Sequence, residues 1–252
     1  MADRPKVILI CSTPRSGSTF LCDLLRQTEN VGFGKEVLEW AVVMKRDIFP
    51  YIPYKTEEEV LADFPGYINS VIENFGAGKS HIAFKVHYNQ LERWRRLDIR
   101  PLDVIDPDHY IFIKRRDMVM QTVSLHIANQ TKSYNSNEKI EDAVEYKGDD
   151  ITLIEYFLRR MNIRWEYFFF TNGIKPLRII YEDLNDDPKK IINHILIAFE
   201  IQPLQSLEEI NSTLKIQRNQ LNEEWAKKYR KHRISWNSLS LITNRLLKKF
   251  IT

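Results

Sequence analysis

The segment Pro14-Arg15-Ser16-Gly17-Ser18-Thr19 sets a guanidinium, three hydroxyls and a glycine side by side. Where such a run leads into a helix, the unpaired N–H groups of the first turn add the positive end of the helix dipole, which makes a cradle for a phosphate or sulfate. Gly17 lets the backbone approach the ligand, Ser18 and Thr19 supply hydroxyls, and Arg15 supplies a permanently charged fork. Taken alone, Ser-Gly-Ser-Thr suits an ordinary helix cap equally well.

Spacing removes two chemistries. The triphosphate motif G-x-x-x-x-G-K-[ST] is absent, because no lysine precedes Ser18 or Thr19; at Gly78-Lys79-Ser80 the required first glycine is Glu73. A cysteine phosphatase needs C-x-x-x-x-x-R, and counting from Cys11 the arginine position holds Gly17.

Further candidates follow other apolar runs. Glu36 and Glu39 are rival carboxylates for general-base work and for contact with a substrate. Lys85 is placed to stabilise charge on a transferring group, and His87 to touch the acceptor or share proton transfer. Arg115, with Ser124 on a following helix, suits a second phosphate. The other histidines, His81, His109, His126, His194 and His232, show no metal-ligand spacing, so no metal is expected. Cys11 and Cys22 read as reduced core residues.

These positions must be held by alternating elements. Lys6 to Cys11 is a continuous apolar run of strand length; Asn30 to Phe33, His81 to Val86, His109 to Ile113 and Leu177 to Ile180 read as four further strands. Between them, Phe20 to Arg26, Glu58 to Glu73, Leu91 to Leu97, Asp117 to Asn129, Ile151 to Phe170 and Pro188 to Phe199 read as helices. The alternation implies a single-domain, three-layer α/β fold with a parallel, doubly wound sheet, whose ligands bind along the carboxyl edge of the strands. Leu239, Ile242, Leu246 and Phe250 are spaced as an amphipathic C-terminal helix. It is expected to dock on the same domain, with homodimerisation as the alternative.

A chain of 252 residues with 43% hydrophobic and 12% aromatic content can bury a full core in one domain. A formal charge of +3, from 37 basic and 34 acidic residues, is no polyelectrolyte excess, so nucleic acid is not the expected partner. The early apolar run Val7 to Cys11 is too short for a signal h-region or a bilayer span; a cytoplasmic protein without stable membrane insertion is expected.

Several blocks, in order, carry a resemblance. Pro14 to Thr19 with Gly32 and Glu36, Lys85 with Asn89-Gln90, Arg115-Arg116-Asp117 with Gln121 to Ser124 and Gln130-Thr131, and Asn222 to Trp225 with Tyr229-Arg230 are together similar to the bacterial sulfotransferases related to trehalose 2-sulfotransferase. The similarity runs from about residue 7 to residue 230, leaving 231–252 as a C-terminal helical extension. Arg116 replaces that family's proline, and Gly34 to Trp40 departs from its P-x-E followed by two aromatics. Ungapped alignment favours Glu36 as the base, and a three-residue insertion would favour Glu39.

The resemblance implies a P-loop-like, nucleotide-binding sulfotransferase fold. It also implies a donor, 3′-phosphoadenosine 5′-phosphosulfate (PAPS), with its 5′-phosphosulfate on Arg15 to Thr19 and its 3′-phosphate on Arg115 and Ser124. Glu36 would deprotonate the hydroxyl, or amine, of a small-molecule acceptor such as a sugar, glycolipid or polar secondary metabolite, without a metal. A nucleotide-dependent kinase and a non-catalytic nucleotide-binding protein are the alternatives; the first would need ATP and magnesium, the second would bind donor without transfer.

Overall fold

The computed structural model describes residues 4–34, 36–39, 52–132, 144–203 and 220–232. The amphipathic stripe expected at Leu239 to Phe250 lies outside them.

In chain order the elements are β1 (Lys6–Ser12), α1 (Ser18–Arg26), β2 (Val31–Phe33), α2 (Glu57–Ala62), α3 (Phe64–Gly76), β3 (His81–His87), α4 (Tyr88–Arg95) and α5 (Pro101–Ile105). They continue with β4 (His109–Lys114), α6 (Met118–Thr131), α7 (Gly148–Thr171), β5 (Leu177–Ile180), α8 (Tyr181–Asp186), α9 (Pro188–Ala198) and α10 (Gln220–His232). The five strands form one parallel sheet in the order β2-β3-β1-β4-β5. The α/β class and parallel sheet read from the sequence are therefore observed. β1 lies at the centre, where the strand order reverses, so its carboxyl end opens onto the crevice in which such sheets take ligands.

Both neighbours of β1 pair with it, and β1 and β3 are apolar with few exceptions because both faces of the sheet are covered. One core cluster packs Ile8, Ile10, Ala83, Ile111 and Ile179 of the strands against Leu21, Leu24 and Leu25 of α1 and Ile192, Ile195 and Leu196 of α9. Cys11 and Cys22 are free and buried, Cys22 within this cluster, and burial pushes the Cys22 thiol up to about 12.

The apolar period over Glu58 to Glu73 belongs to two helices rather than one. Thr56 and Glu59 form a reciprocal capping box at the start of α2, the Thr56 hydroxyl accepting the Glu59 N–H at 3.2 Å. Asp63 then leaves helical geometry and accepts the Gly66 N–H at 3.0 Å, with Pro65 in the first turn of α3.

The chain divides into two compact units, residues 1–114 with 161–212 and residues 115–160 with 213–252. The first contains the sheet. In the second, Trp225, Ala226 and Tyr229 of α10 pack with Val119, Val123 and Ile127 of α6 and Ile151 of α7. The Tyr229 hydroxyl donates to Glu155 at 2.9 Å, and Arg230 pairs with Asp117 at 2.7 Å.

Candidate functional site

The loop after β1 turns through two positive-φ residues, Arg15 at 61° and Gly17 at 89°. The Ser16 N–H donates to the Thr13 carbonyl at 3.2 Å, closing the turn. A left-handed conformation at Arg15 is uncommon for a residue with a Cβ, and alternation of this kind points successive N–H groups into one concavity. Gly17 is the N-cap of α1 and supplies no side-chain cap, and the first turn holds no acidic residue. The hydroxyl of Ser16 is fully buried and has no hydrogen-bond partner among the described residues. A buried, unsatisfied hydroxyl is costly unless something accepts or donates to it, so this loop fits a tetrahedral oxyanion better than a plain cap. A Cβ on Gly17 would fall inside the ring of Tyr181, the first residue of α8, so both conformation and space require glycine.

Lys85, near the carboxyl end of β3, connects the loop to Glu36. Its ammonium donates to the Thr19 hydroxyl at 2.9 Å and forms an ion pair with Glu36 Oε1. The Lys85 side chain is only 9% exposed and that of Glu36 21%, so solvent screens the pair incompletely. Burial alone would raise the Glu36 carboxyl, but the charge of Lys85 and the hydrogen bonds from Lys85 and Gln90 outweigh it and hold the group below its ordinary range.

Glu39 is held differently. Its carboxylate pairs with Arg93 at 3.3 Å, while Arg93 also donates to the Leu38 carbonyl at 2.8 Å and Trp94 Nε1 donates to the same oxygen at 3.0 Å. The Gln90 amide joins the two acids, donating to Glu36 Oε2 at 3.2 Å and to Glu39 Oε2 at 3.3 Å.

His87 ends β3 in a buried position and shares a hydrogen bond with the Ser12 hydroxyl through Nδ1 at 2.9 Å. Burial, outweighing the attraction of Glu36, lowers the imidazole to about 4, so it is neutral at physiological pH and Lys85 carries the positive charge beside Glu36. The Ser12 carbonyl accepts the Trp165 indole N–H at 2.9 Å, which anchors the end of β1 to α7.

Arg15, Ser16, Gly17, Ser18, Thr19, Glu36, Glu39, Lys85 and His87 all belong to the first unit, which brings Thr19, Lys85, Glu36 and Glu39 into one hydrogen-bonded array. Arg115 and Ser124 belong to the second unit. There Ser124 is buried on α6, whose first turn is capped by Asp117 accepting the Met120 N–H at 3.1 Å.

Three positions that touch these residues or neighbour them are absent from the sequence-based candidates. Gln90 stands in the quoted Asn89-Gln90 block, but nothing in its type announces a contact with both acids. Ser12 was hidden inside a strand and Tyr181 at the start of a short helix. No group of three or more His, Cys, Asp or Glu that could hold a metal occurs among the described residues, and no described helix is long and apolar enough to cross a membrane.

Trehalose 2-sulfotransferase of Mycolicibacterium smegmatis is 25% identical over 265 aligned residues, covering 92% of this chain and 97% of that protein. Among solved structures, a sulfotransferase from Alicyclobacillus acidocaldarius is similar with a TM-score of 0.48 and 12% identity, covering 96% of this chain and 97% of that one. The sulfotransferase domain from the curacin biosynthetic pathway follows with a TM-score of 0.46 and 16% identity, again over 96% and 97% of the two chains. The family model described as Stf0 sulphotransferase matches residues 7–232, nearly the whole sequence, and the chain therefore belongs to the Stf0 sulphotransferase family.

Proposed function

We propose that this chain transfers a sulfuryl group from PAPS to a hydroxyl, or an amine, of a small-molecule acceptor such as a sugar, glycolipid or polar secondary metabolite. The observation that carries the reading is a buried cation, Lys85, joined at once to the anion loop through Thr19 and to the carboxylate of Glu36. A transfer site needs a cation between the held oxyanion and the group that takes the acceptor proton, and the contacts of Lys85 with Thr19 and Glu36 support that role for it.

In this reading the donor supplies an activated sulfuryl group. Arg15, the Ser16 hydroxyl and the N–H groups opening α1 bind its 5′-phosphosulfate, and Arg115 with Ser124 binds the 3′-phosphate. Lys85 neutralises charge on the transferring group as it moves. Glu36 takes the proton of the acceptor while the new sulfur–oxygen or sulfur–nitrogen bond forms and the old bond to the 5′-phosphate breaks, releasing adenosine 3′,5′-bisphosphate. The singly charged sulfuryl group needs less neutralisation than a phosphoryl group, which Arg15 and Lys85 provide without a metal. Contact with Lys85 favours Glu36 over Glu39 as the base, leaving Glu39 and His87 on the acceptor side.

The test is incubation with sulfur-labelled PAPS and a panel of sugars, glycolipids and polar secondary metabolites, followed by mass spectrometry of labelled products. Donor binding without transfer to any acceptor would point to a non-catalytic nucleotide-binding protein. Glu36→Gln should lower turnover far more than affinity for adenosine 3′,5′-bisphosphate. Retained turnover in that variant, with loss in Glu39→Gln, would move the base to Glu39.

A further inference from the structure

Gln90 is 1% exposed, and all of its amide is engaged. Its oxygen accepts the His87 N–H at 2.8 Å, at the junction of β3 and α4. Its nitrogen spends one hydrogen on Glu36 Oε2 at 3.2 Å and the other on Glu39 Oε2 at 3.3 Å. The amide cannot turn over, because exchange of its ends would set the carbonyl against two carboxylates and the NH2 against the His87 N–H.

The acids so joined have different cations. Glu36 takes Lys85 through its other oxygen, and Glu39 takes Arg93 through its own. Without a donor between them, two carboxylates that both lie within hydrogen-bond reach of one amide nitrogen would repel.

Building on the reading of Glu36 as base, we infer that Gln90 is a positioning residue for the transfer: its buried amide divides the two carboxylates and holds Glu36 against Lys85 with a lone pair of the carboxylate left for the acceptor proton. It acts through Glu36 and touches neither donor nor acceptor. A carboxylate oxygen has lone pairs to spare, so the bond from Gln90 aligns the base without occupying it.

The inference is tested by Gln90→Met, which keeps the length of the side chain and removes both donors, alone and combined with Glu36→Gln. A hydrogen bond to a charged group is worth enough that kcat should fall about 10- to 100-fold. The acid limb of the pH–rate profile should move upward, since Glu36 loses a bond that favours its ionised form. Affinity for adenosine 3′,5′-bisphosphate should stay within about twofold, which also reports an intact fold. In the Glu36→Gln background, where residual transfer is read from labelled PAPS, Gln90→Met should cost at most about a further twofold, because both changes remove the same function.

Multiplying effects, or an unmoved acid limb, would show that Gln90 is merely structural and overturn the inference while leaving Glu36 as base. Normal turnover of Glu36→Gln alone would remove the base assignment and the inference with it. Should Gln90→Met fail to fold, Gln90→Glu carries the test: it keeps the acceptor for the His87 N–H but puts a third negative charge beside Glu36, and must move the acid limb further upward.

Discussion

Replacing Lys85 with methionine tests the bridge between loop and base most directly. The ammonium lost is nearly buried, and the side chain of its partner Glu36 is 21% exposed. Two unit charges about 4 Å apart interact by about 4 kcal/mol at an effective dielectric constant of about 20, and the solvent reaching Glu36 reduces this toward about 2 kcal/mol. The same range applies to charge on a transferring group at equal distance, so kcat should fall by about 30- to 1,000-fold. Adenosine 3′,5′-bisphosphate lacks the sulfuryl group, so its affinity should change less than about fivefold.

The pH dependence has a definite sign. Glu36 must be ionised to take a proton, and its ionised form is now favoured by Lys85 against the opposing effect of burial. With methionine at 85, burial prevails, and the acid limb of kcat/KM moves to higher pH. Initial rates with labelled PAPS across the acid and neutral range measure both quantities. Turnover within threefold of the parent and an unmoved limb would refute the bridge, whatever the fate of the family assignment.

Gly17→Ala forces a Cβ into a position with φ of 89° and into the Tyr181 ring; affinity for adenosine 3′,5′-bisphosphate by calorimetry should drop at least about tenfold, and normal affinity would contradict the cradle. His87 takes up a proton at about 6.5 when unfolded but only at about 4 when folded, so stability is lost as pH falls through that interval, by up to about 3 kcal/mol. Urea unfolding should show the gap between parent and His87→Gln closing as pH falls from 7 to 5, and parallel curves would exclude the effect. Trp165→Phe leaves the Ser12 carbonyl without the indole donor and should cost about 1–3 kcal/mol by urea midpoint; a loss below a few tenths would mean that the bond is not structural. Tyr229→Phe removes the donor to buried Glu155 in the second unit and should lower stability by about 1–2 kcal/mol, with an unchanged midpoint counting against that anchor.

β1 and β3 were legible because burial on both faces turns them into short, largely apolar runs, and a run of that kind has few other uses. The long helices were legible through their period. α5 and α8 were not, since Pro101–Ile105 and Tyr181–Asp186 are too short to show a period and are held by their neighbours. Asp63 and Pro65 carry the information that splits α2 from α3, but a broad apolar stripe conceals it. For the site, residue types announced an anion loop and a set of candidate charges. Pairing is a property of distance, and spacing could not choose between Glu36 and Glu39.

What places Lys85 beside Glu36 is strand register. β1 and β3 pair with Ile10 opposite Lys85 and Ser12 opposite His87, and side chains alternate across the sheet, so Ala83, Lys85 and His87 share a face with Ile8, Ile10 and Ser12. Ile8, Ile10 and Ala83 of that face pack with α1, whose first turn contains Thr19. Lys85 therefore emerges under the start of α1 and reaches Thr19 on one side and Glu36 on the other. A register one residue out would turn Phe84 and Val86 toward the loop and send the ammonium to the opposite face. In the sequence, His81 to Val86 reads as uniformly apolar around one lysine, and a strand buried on both faces has no alternation to say which way that lysine points. The orientation of the ammonium that joins Thr19 to Glu36 is thus set by pairing between strands some 75 residues apart, as in Ser12 with His87. Such pairing leaves no local trace.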